Sequence, residues 1–257
     1  MINLVKAELL KARATRSVWA LGAVGVAFSV VWAVVDVLVF MRLGDGSGSI
    51  DRKVQDAYSM AQQGYLLALI LGIVVMAGEY RHQTITWAFL VTPRRGKVIT
   101  AKLLACAVLG LVLGVASAVV TGIVTAILLA ATGHPVTAPG VPLVLIGSVL
   151  STTLWGVFGA ALGALIRNQV AATTVAFLWF FYAEWFLVML APSVGRWVPT
   201  GVAKSVSGWS RDGMVGFDGR PIPGELLPVW AGGLVFLGYA LAAAAAARLV
   251  SVRRDVT

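Results

Sequence analysis

Charged residues are scarce in this chain. Of its 257 residues, 12% are charged and 59% are hydrophobic, whereas about a quarter of a typical soluble domain is charged. A soluble domain could not hide so much apolar surface in one core, but a bilayer acts as the solvent for outward-facing apolar side chains. The composition therefore excludes an ordinary soluble protein and predicts an integral membrane protein.

Residues that build catalytic and metal centres are equally rare. Because Cys106 is the one cysteine, no disulfide framework and no cysteine-based metal site can form within one chain. The phosphate-binding pattern Gly-x-x-x-x-Gly-Lys-Ser/Thr does not occur, since Gly96-Lys97 is followed by Val98. His-Glu-x-x-His and Gly-x-Ser-x-Gly do not occur either. We expect no catalytic residues, metal ligands or cofactor on this chain, so any coupled ATP hydrolysis takes place on a separate chain.

Six apolar runs reach or approach the roughly 20 residues that a helix needs to cross a bilayer. Their approximate bounds are 17–40, 62–78, 101–131, 141–166, 170–191 and 226–248. Open sheet edges cannot face lipid, and the runs do not alternate in polarity as barrel strands do. The sequence predicts an all-α polytopic membrane protein, with residues 1–257 as one transmembrane domain of six helices.

The basic residues between the runs predict the orientation. Most of the 20 Lys and Arg residues lie on the side of both termini and of segment 79–102, which the positive-inside rule places in the cytoplasm. The net charge of +9 is divided among short clusters beside apolar runs. This pattern suits an anionic membrane leaflet rather than a nucleic acid. We expect contact with membrane lipid and no binding of nucleic acid.

The segment from Gly78 to Lys102, between the second and third runs, is the most informative part of the chain. On a helix, Ile85, Phe89 and Leu90 share one face, and Pro93 ends the helix. The pattern predicts a short amphipathic helix at the membrane surface, followed by a basic turn. Such a helix can dock on a cytoplasmic partner, or it can be an interfacial anchor with no partner.

This segment resembles the signature of the type-2 ABC exporter permeases, the membrane subunits of bacterial drug, antibiotic and polysaccharide exporters. In that family an acidic residue closes the second span, a coupling helix carrying a Thr follows, then a Pro-Arg turn and a Lys that opens the third span. The matching positions are Glu79, Thr84, Pro93, Arg94 or Arg95, and Lys102. The family often has Gly before the Thr, where this chain has Gln83. The six runs, the basic amphipathic N-terminus and the long fifth loop extend the resemblance over the whole chain.

The resemblance implies a single permease domain of an ATP-driven exporter in the bacterial cytoplasmic membrane. Two permease chains, identical or different, would pair around a substrate path. Two copies of an ABC ATPase subunit, which hold ATP and Mg²⁺, would bind below them. An N-terminal amphipathic helix, Asn3 to about Thr15, would lie along the inner membrane surface. The residues implied to couple the permease to the ATPase are Glu79, Arg81, His82, Thr84, Phe89, Pro93, Arg94, Arg95 and Lys102.

An ionisable residue lies within the fifth run. Glu184 stands among aromatic residues, and a charge within a span usually faces protein or water rather than lipid. With Phe181 and Trp185 it forms a candidate substrate path for a hydrophobic or amphiphilic compound, such as a drug, an antibiotic or a lipid-like molecule. The alternative is a structural hydrogen bond or a protonated buried acid.

Proline and glycine predict two further features. The stretch from Pro192 to Pro228 is read as an external cap with short re-entrant or interfacial helices, or as an ordinary exposed loop. The pairs Gly110/Gly114 and Gly159/Gly163 allow close helix contact, either inside the chain or between two permeases.

Three other functions remain as alternatives. An ion-driven secondary carrier would show internal repeats, and the two halves of this chain show no clear repeat. An integral membrane enzyme would need concentrated His, Asp or Glu residues within the spans, where this chain has scattered ones. A membrane immunity component that transports nothing would lack a partner chain that binds ATP.

Overall fold

The computed structural model describes residues 1–40, 49–81, 84, 87, 90, 94–208 and 226–253, and every regular element within them is helical. The all-α prediction is therefore confirmed for this part of the chain. The α-helices are α1 (Ile2–Ala14), α2 (Arg16–Val35), α3 (Ile50–Ser59), α4 (Tyr65–Arg81), α5 (Arg95–Ala131), α6 (Val141–Ile166), α7 (Gln169–Phe177), α8 (Glu184–Leu190), α9 (Pro192–Gly195), α10 (Pro199–Val206) and α11 (Val229–Arg253). π-Helical turns extend α2 over Asp36–Phe40 and join α7 to α8 over Leu178–Ala183, and a 3₁₀ turn, Met60–Gln62, follows α3.

Five helical runs in the described residues are long and apolar enough to cross a membrane, which confirms the polytopic architecture. They are Arg16–Val39, Ile50–Arg81, Arg95–Ala131, Val141–Ile166 and Val229–Val250. At the crossing expected over 170–191, the structure has an apolar helix, Gln169–Phe180, that is shorter than a membrane span. A π turn, Leu178–Ala183, interrupts the regular α-helix there. A total of six crossings therefore stays a prediction.

Two helices begin earlier than the apolar runs indicate. The sequence places an external loop before position 62, but α3 begins at Ile50, where Ser49 Oγ accepts a hydrogen bond from the Arg52 backbone N–H. The third run begins at 101, but α5 begins at Arg95, so the expected basic turn is partly the first turn of this helix. Both extensions are polar, and hydropathy alone does not detect a polar helix.

Helix α6 lies at the centre of the bundle and packs against α4, α5 and α11. Its Trp155 is fully buried. The indole ring contacts the rings of Tyr65, Phe158, Phe180 and Phe236, with centroid distances of 5.1, 6.0, 4.9 and 5.2 Å. Because these rings come from several helices, one aromatic cluster fixes α4, α6, α11 and the π turn after α7 relative to one another.

Glycine allows α6 to approach α4 closely. A Cβ added at Gly159 would lie 2.0 Å from the carbonyl oxygen of Leu69, and one at Gly72 would lie 2.2 Å from that of Gly156. The other predicted glycines also face neighbouring helices: Gly163 lies against Ile73, Gly110 against Thr153 and Gly114 against Val149. Both predicted glycine pairs thus serve packing within the chain.

Two short helices, α9 and α10, occur in the stretch that begins at Pro192. Helix α10 packs against α6 and α11 and is largely buried. Nearby, Tyr239 Oη donates a hydrogen bond to the Trp197 carbonyl at 2.8 Å. The expectation of short helices is therefore confirmed over 192–208, and residues 209–225 lie outside the described part.

Candidate functional site

Four charged side chains meet where α1, α4 and α5 come together. We call Glu8, Lys11, Glu79 and Lys102 the ion quartet. Lys102 Nζ lies 2.6 Å from Glu8 Oε2 and 2.6 Å from Glu79 Oε1. Lys11 Nζ lies 3.0 Å from Glu8 Oε1 and 3.1 Å from Glu79 Oε1. Each lysine therefore bridges the same two carboxylates.

The local sequence explains how these groups come together. Glu8 and Lys11 are three residues apart on α1, so they lie on neighbouring turns of one face. Helix α1 packs against α5 with Glu8 and Ala12 buried. Glu79 lies in the last turn of α4, and Lys102 lies in the first turns of α5. The quartet therefore joins both ends of the segment between α4 and α5 and ties them to α1.

The quartet contains two acids and two bases, so its formal charges cancel. The Lys102 side chain is 0% exposed, and those of Glu8 and Glu79 are 10% and 12% exposed. Removing one partner from such a buried ion pair leaves an uncompensated charge and is strongly destabilising. Burial lowers the pKa of Lys11, but the hydrogen bond to Glu8 and the charges of Glu79 and Glu8 outweigh it and raise the pKa above its ordinary value. Lys11 is therefore a cation at neutral pH.

The structure brings together two of the predicted coupling residues, Glu79 and Lys102. Arg81 and Arg94 are exposed at the ends of α4 and α5. Arg95 is the first residue of α5. Thr84 is helical and exposed, and its Oγ1 lies 3.5 Å from the Glu79 carbonyl oxygen. His82, Phe89 and Pro93 lie outside the described residues.

Sequence reasoning missed Glu8 and Lys11 of the quartet. Their sequence signal is the spacing of an acid and a base three residues apart on a helix that is otherwise basic and apolar. That signal identifies a pair on α1, but it does not identify Lys102 as the distant partner.

The segment between α4 and α5 carries exposed apolar side chains. Thr84, Trp87 and Leu90 are helical, and Trp87 and Leu90 are 71% and 67% exposed. The sequence pattern places Leu90 on the apolar face of the coupling helix with Ile85, which lies outside the described residues. It did not single out Trp87, which is the largest exposed side chain described in this segment. A large, exposed aromatic side chain suits docking to another protein.

A second turn at the same end of the bundle contacts this region. Arg167 lies between α6 and α7 with a φ of 57°, in the left-handed region. Its guanidinium group lies 5.4 Å from the centre of the Tyr80 ring, which is a cation–π distance. The turn after α6 thus contacts the residue next to Glu79.

The predicted substrate-path residue Glu184 is buried and hydrogen bonded. It is 1% exposed. Its Oε2 accepts a hydrogen bond from the Thr200 backbone N–H at 3.0 Å and another from the Thr200 hydroxyl. Its Oε1 accepts one from Trp179 Nε1 at 3.2 Å. The carboxylate therefore caps the amino end of α10 and joins α8 to it.

The role of Glu184 in a substrate path stays a prediction, and the geometry gives this residue a structural task as well. Phe181 lies in the π turn after α7, and Trp185 lies in α8. Their side chains are outside the described part of the structure. Thr200, the principal partner of Glu184, was not predicted.

Comparison with known proteins gives the family. A family model described as "ABC-2 family transporter protein" matches residues 4–194. This range contains the quartet and the segment between α4 and α5. No curated protein matches the chain. Because the family match covers most of the chain and agrees with its helical membrane architecture, the chain belongs to the ABC-2 transporter family and is a membrane permease component of an ABC transporter.

Proposed function

We propose that this chain is the transmembrane permease subunit of an ATP-driven exporter in a bacterial cytoplasmic membrane. It moves a hydrophobic or amphiphilic compound out of the cell, together with a second permease chain and two copies of an ABC ATPase subunit that bind ATP and Mg²⁺. The observation that carries the proposal is the ion pair between Glu79 and Lys102. It closes the base of the segment that exposes Trp87 and Leu90.

A segment that receives force from a motor must be fixed to the helices that it moves. The quartet fixes this segment to α1, α4 and α5, and the contact of Arg167 with Tyr80 adds the turn after α6. Helix α5 has 37 residues, which corresponds to a length of about 55 Å and exceeds the roughly 30 Å hydrocarbon core. A displacement at the quartet is therefore transmitted along α5 to the opposite end of the bundle.

The orientation belongs to the same proposal. Both termini and the segment between α4 and α5 face the cytoplasm, because the basic residues concentrate on this side. The quartet end of the bundle is then the end that an ATPase subunit reaches. Single engineered cysteines, introduced after Cys106→Ser, would test this orientation with a probe that does not cross the membrane.

We expect Trp87→Ala to weaken association with the ATPase subunit about tenfold or more, because exposed tryptophans are frequent anchors of protein interfaces. Titration of the purified permease with the ATPase subunit in nanodiscs measures this change. Trp230→Ala is the matched control, since Trp87 and Trp230 are both 71% exposed and Trp230 lies on α11. Equal binding by wild type and Trp87→Ala would contradict the docking role.

Glu184→Gln and Thr200→Val separate a structural role of Glu184 from a role in substrate binding. Glu184→Gln replaces one of the two accepting oxygens by an NH2 group, and Thr200→Val removes the hydroxyl donor. We expect each change to lower stability by about 1–3 kcal/mol. If Glu184 also faces the substrate, only Glu184→Gln reduces substrate-stimulated ATP hydrolysis beyond the effect of Thr200→Val. Equal stimulation in the two variants would assign Glu184 a purely structural role.

Experiment separates the exporter from two alternatives that the sequence left open, an ion-driven carrier and an immunity component without transport. Two results together support the exporter. A purified complex binds ATP only when a second chain with an ABC ATPase motif is present, and the complex exports a test compound. Export driven by an ion gradient in proteoliposomes without ATP would support the carrier. A chain that neither binds an ATPase subunit nor transports a compound would support the immunity component.

A further inference from the structure

A groove of about 810 Å³ runs between α1, α2 and α4 and reaches the ion quartet. Its volume falls within the range of small-molecule sites. We call it the α2–α4 groove. Its lining residues include Val18, Leu21 and Val24 of α2, Ile70 and Val74 of α4, and Lys11, Glu79, Arg81 and Thr84 at the quartet end.

The apolar part of the groove has the depth of one membrane leaflet. Helices α2 and α4 meet where Gly25 lies against Leu67, and the lining on α2 stops just before this contact, at Val24. From Val24 to Thr15, which also lines the groove, the helix rises about 14 Å. One leaflet of the hydrocarbon core is about 15 Å deep. The groove can therefore hold an acyl chain that lies along the membrane normal.

The charged end of the groove exposes cationic side chains to solvent. Arg81 is exposed and forms no ion pair with any residue that the structure describes. The Lys11 side chain is 53% exposed, whereas Glu8 and Glu79 are nearly buried against Lys102. Since the quartet is neutral as a whole, Arg81 gives this end a net positive charge. An anionic headgroup is the charge complement of this end.

We propose that the α2–α4 groove binds an anionic phospholipid. Its phosphate lies between Lys11 and Arg81, and one acyl chain lies between α2 and α4. This site adds lipid recognition to the chain and does not depend on transport or on an ATPase subunit. It requires only that the chain spans a membrane.

The site is tested with the full chain in nanodiscs of phosphatidylcholine that contain a small fraction of phosphatidylglycerol. Native mass spectrometry after transfer to detergent measures which lipid stays bound. We expect wild type to retain phosphatidylglycerol in preference to phosphatidylcholine, and Arg81→Gln to reduce this preference about fivefold. Arg13→Gln is the matched control, because Arg13 is an exposed cation of α1 that does not line the groove.

A second variant tests the acyl-chain position. Val74→Trp fills the apolar wall without a change in charge, and we expect it to lower retention of both lipids. Equal losses for Arg81→Gln and Arg13→Gln would overturn the proposal, because they would indicate general attraction to a basic surface. Unchanged retention in Val74→Trp would also overturn it. So would efficient cross-linking of two copies through a cysteine at position 24, made in a Cys106→Ser background, because the groove would then be covered by a second chain.

Discussion

Lys102→Met lowers the stability of the permease by roughly 3–5 kcal/mol, the loss expected when one partner of a buried ion pair is removed. The variant leaves Glu8 and Glu79 close together with Lys11 as their one remaining quartet cation. Thermal unfolding in detergent micelles measures the loss. Under the proposed function, ATP hydrolysis by the assembled complex also becomes less dependent on substrate. The reason is that α5 loses its ion pairs with Glu8 of α1 and Glu79 of α4.

The control for Lys102→Met lies on the same helix. Lys97 is exposed near the start of α5, so Lys97→Met changes the same charge without leaving a buried acid unpaired. We expect it to change stability by less than about 1 kcal/mol. Adding Glu8→Gln to Lys102→Met leaves one acid, Glu79, and one base, Lys11, so the charges balance again. We expect this double variant to recover part of the lost stability. A double variant as unstable as the sum of its two single changes would refute coupling within the quartet.

Gly159→Ala separates α6 from α4. The new Cβ would lie 2.0 Å from the Leu69 carbonyl oxygen, and a backbone atom in a helix cannot rotate away as a side chain can. We expect a loss of the order of 3 kcal/mol, at the upper end of overpacking effects in cores. The measurements are thermal unfolding and the fraction of monodisperse protein after extraction from the membrane.

Gly238→Ala is the companion to this experiment. Gly238 lies on α11, and no heavy atom lies within 4 Å of a Cβ built there. The substitution removes a flexible residue from a helix and is expected to be neutral or to stabilise by up to about 1 kcal/mol. Identical unfolding temperatures for the Gly159 and Gly238 variants would show that α4 and α6 are not in the close contact described here.

The sequence predicts the long apolar helices well, because apolarity over about 20 residues is a local property. Helices α6 and α11 follow their predicted runs closely. The start of α3 at Ile50 was not predicted, since its residues are largely polar and its helical structure depends on packing against α5 and α6. The turn that interrupts the helix after Phe177 has no clear signal either, because the same apolar residues would suit an uninterrupted helix.

The resemblance singled out two of the four quartet residues as coupling residues, but the sequence did not predict that any of them form ion pairs. Glu79 and Lys102 belong to a recognisable family pattern around one segment. Glu8 meets Lys102 across 94 positions, and Lys11 meets Glu79 across 68. These contacts depend on how α1 packs against α5, and no local pattern records that packing. The same holds for Glu184, because its partner Thr200 lies beyond two short helices.

The order of the quartet residues along the chain bears on how the protein is made. Glu8 and Glu79 both precede Lys102, so the ribosome synthesises both acids before the base. When α5 leaves the ribosome, its buried ammonium group already has counter-charges on the earlier helices of the same chain. Lys102 therefore needs no other subunit to neutralise it during insertion into the bilayer.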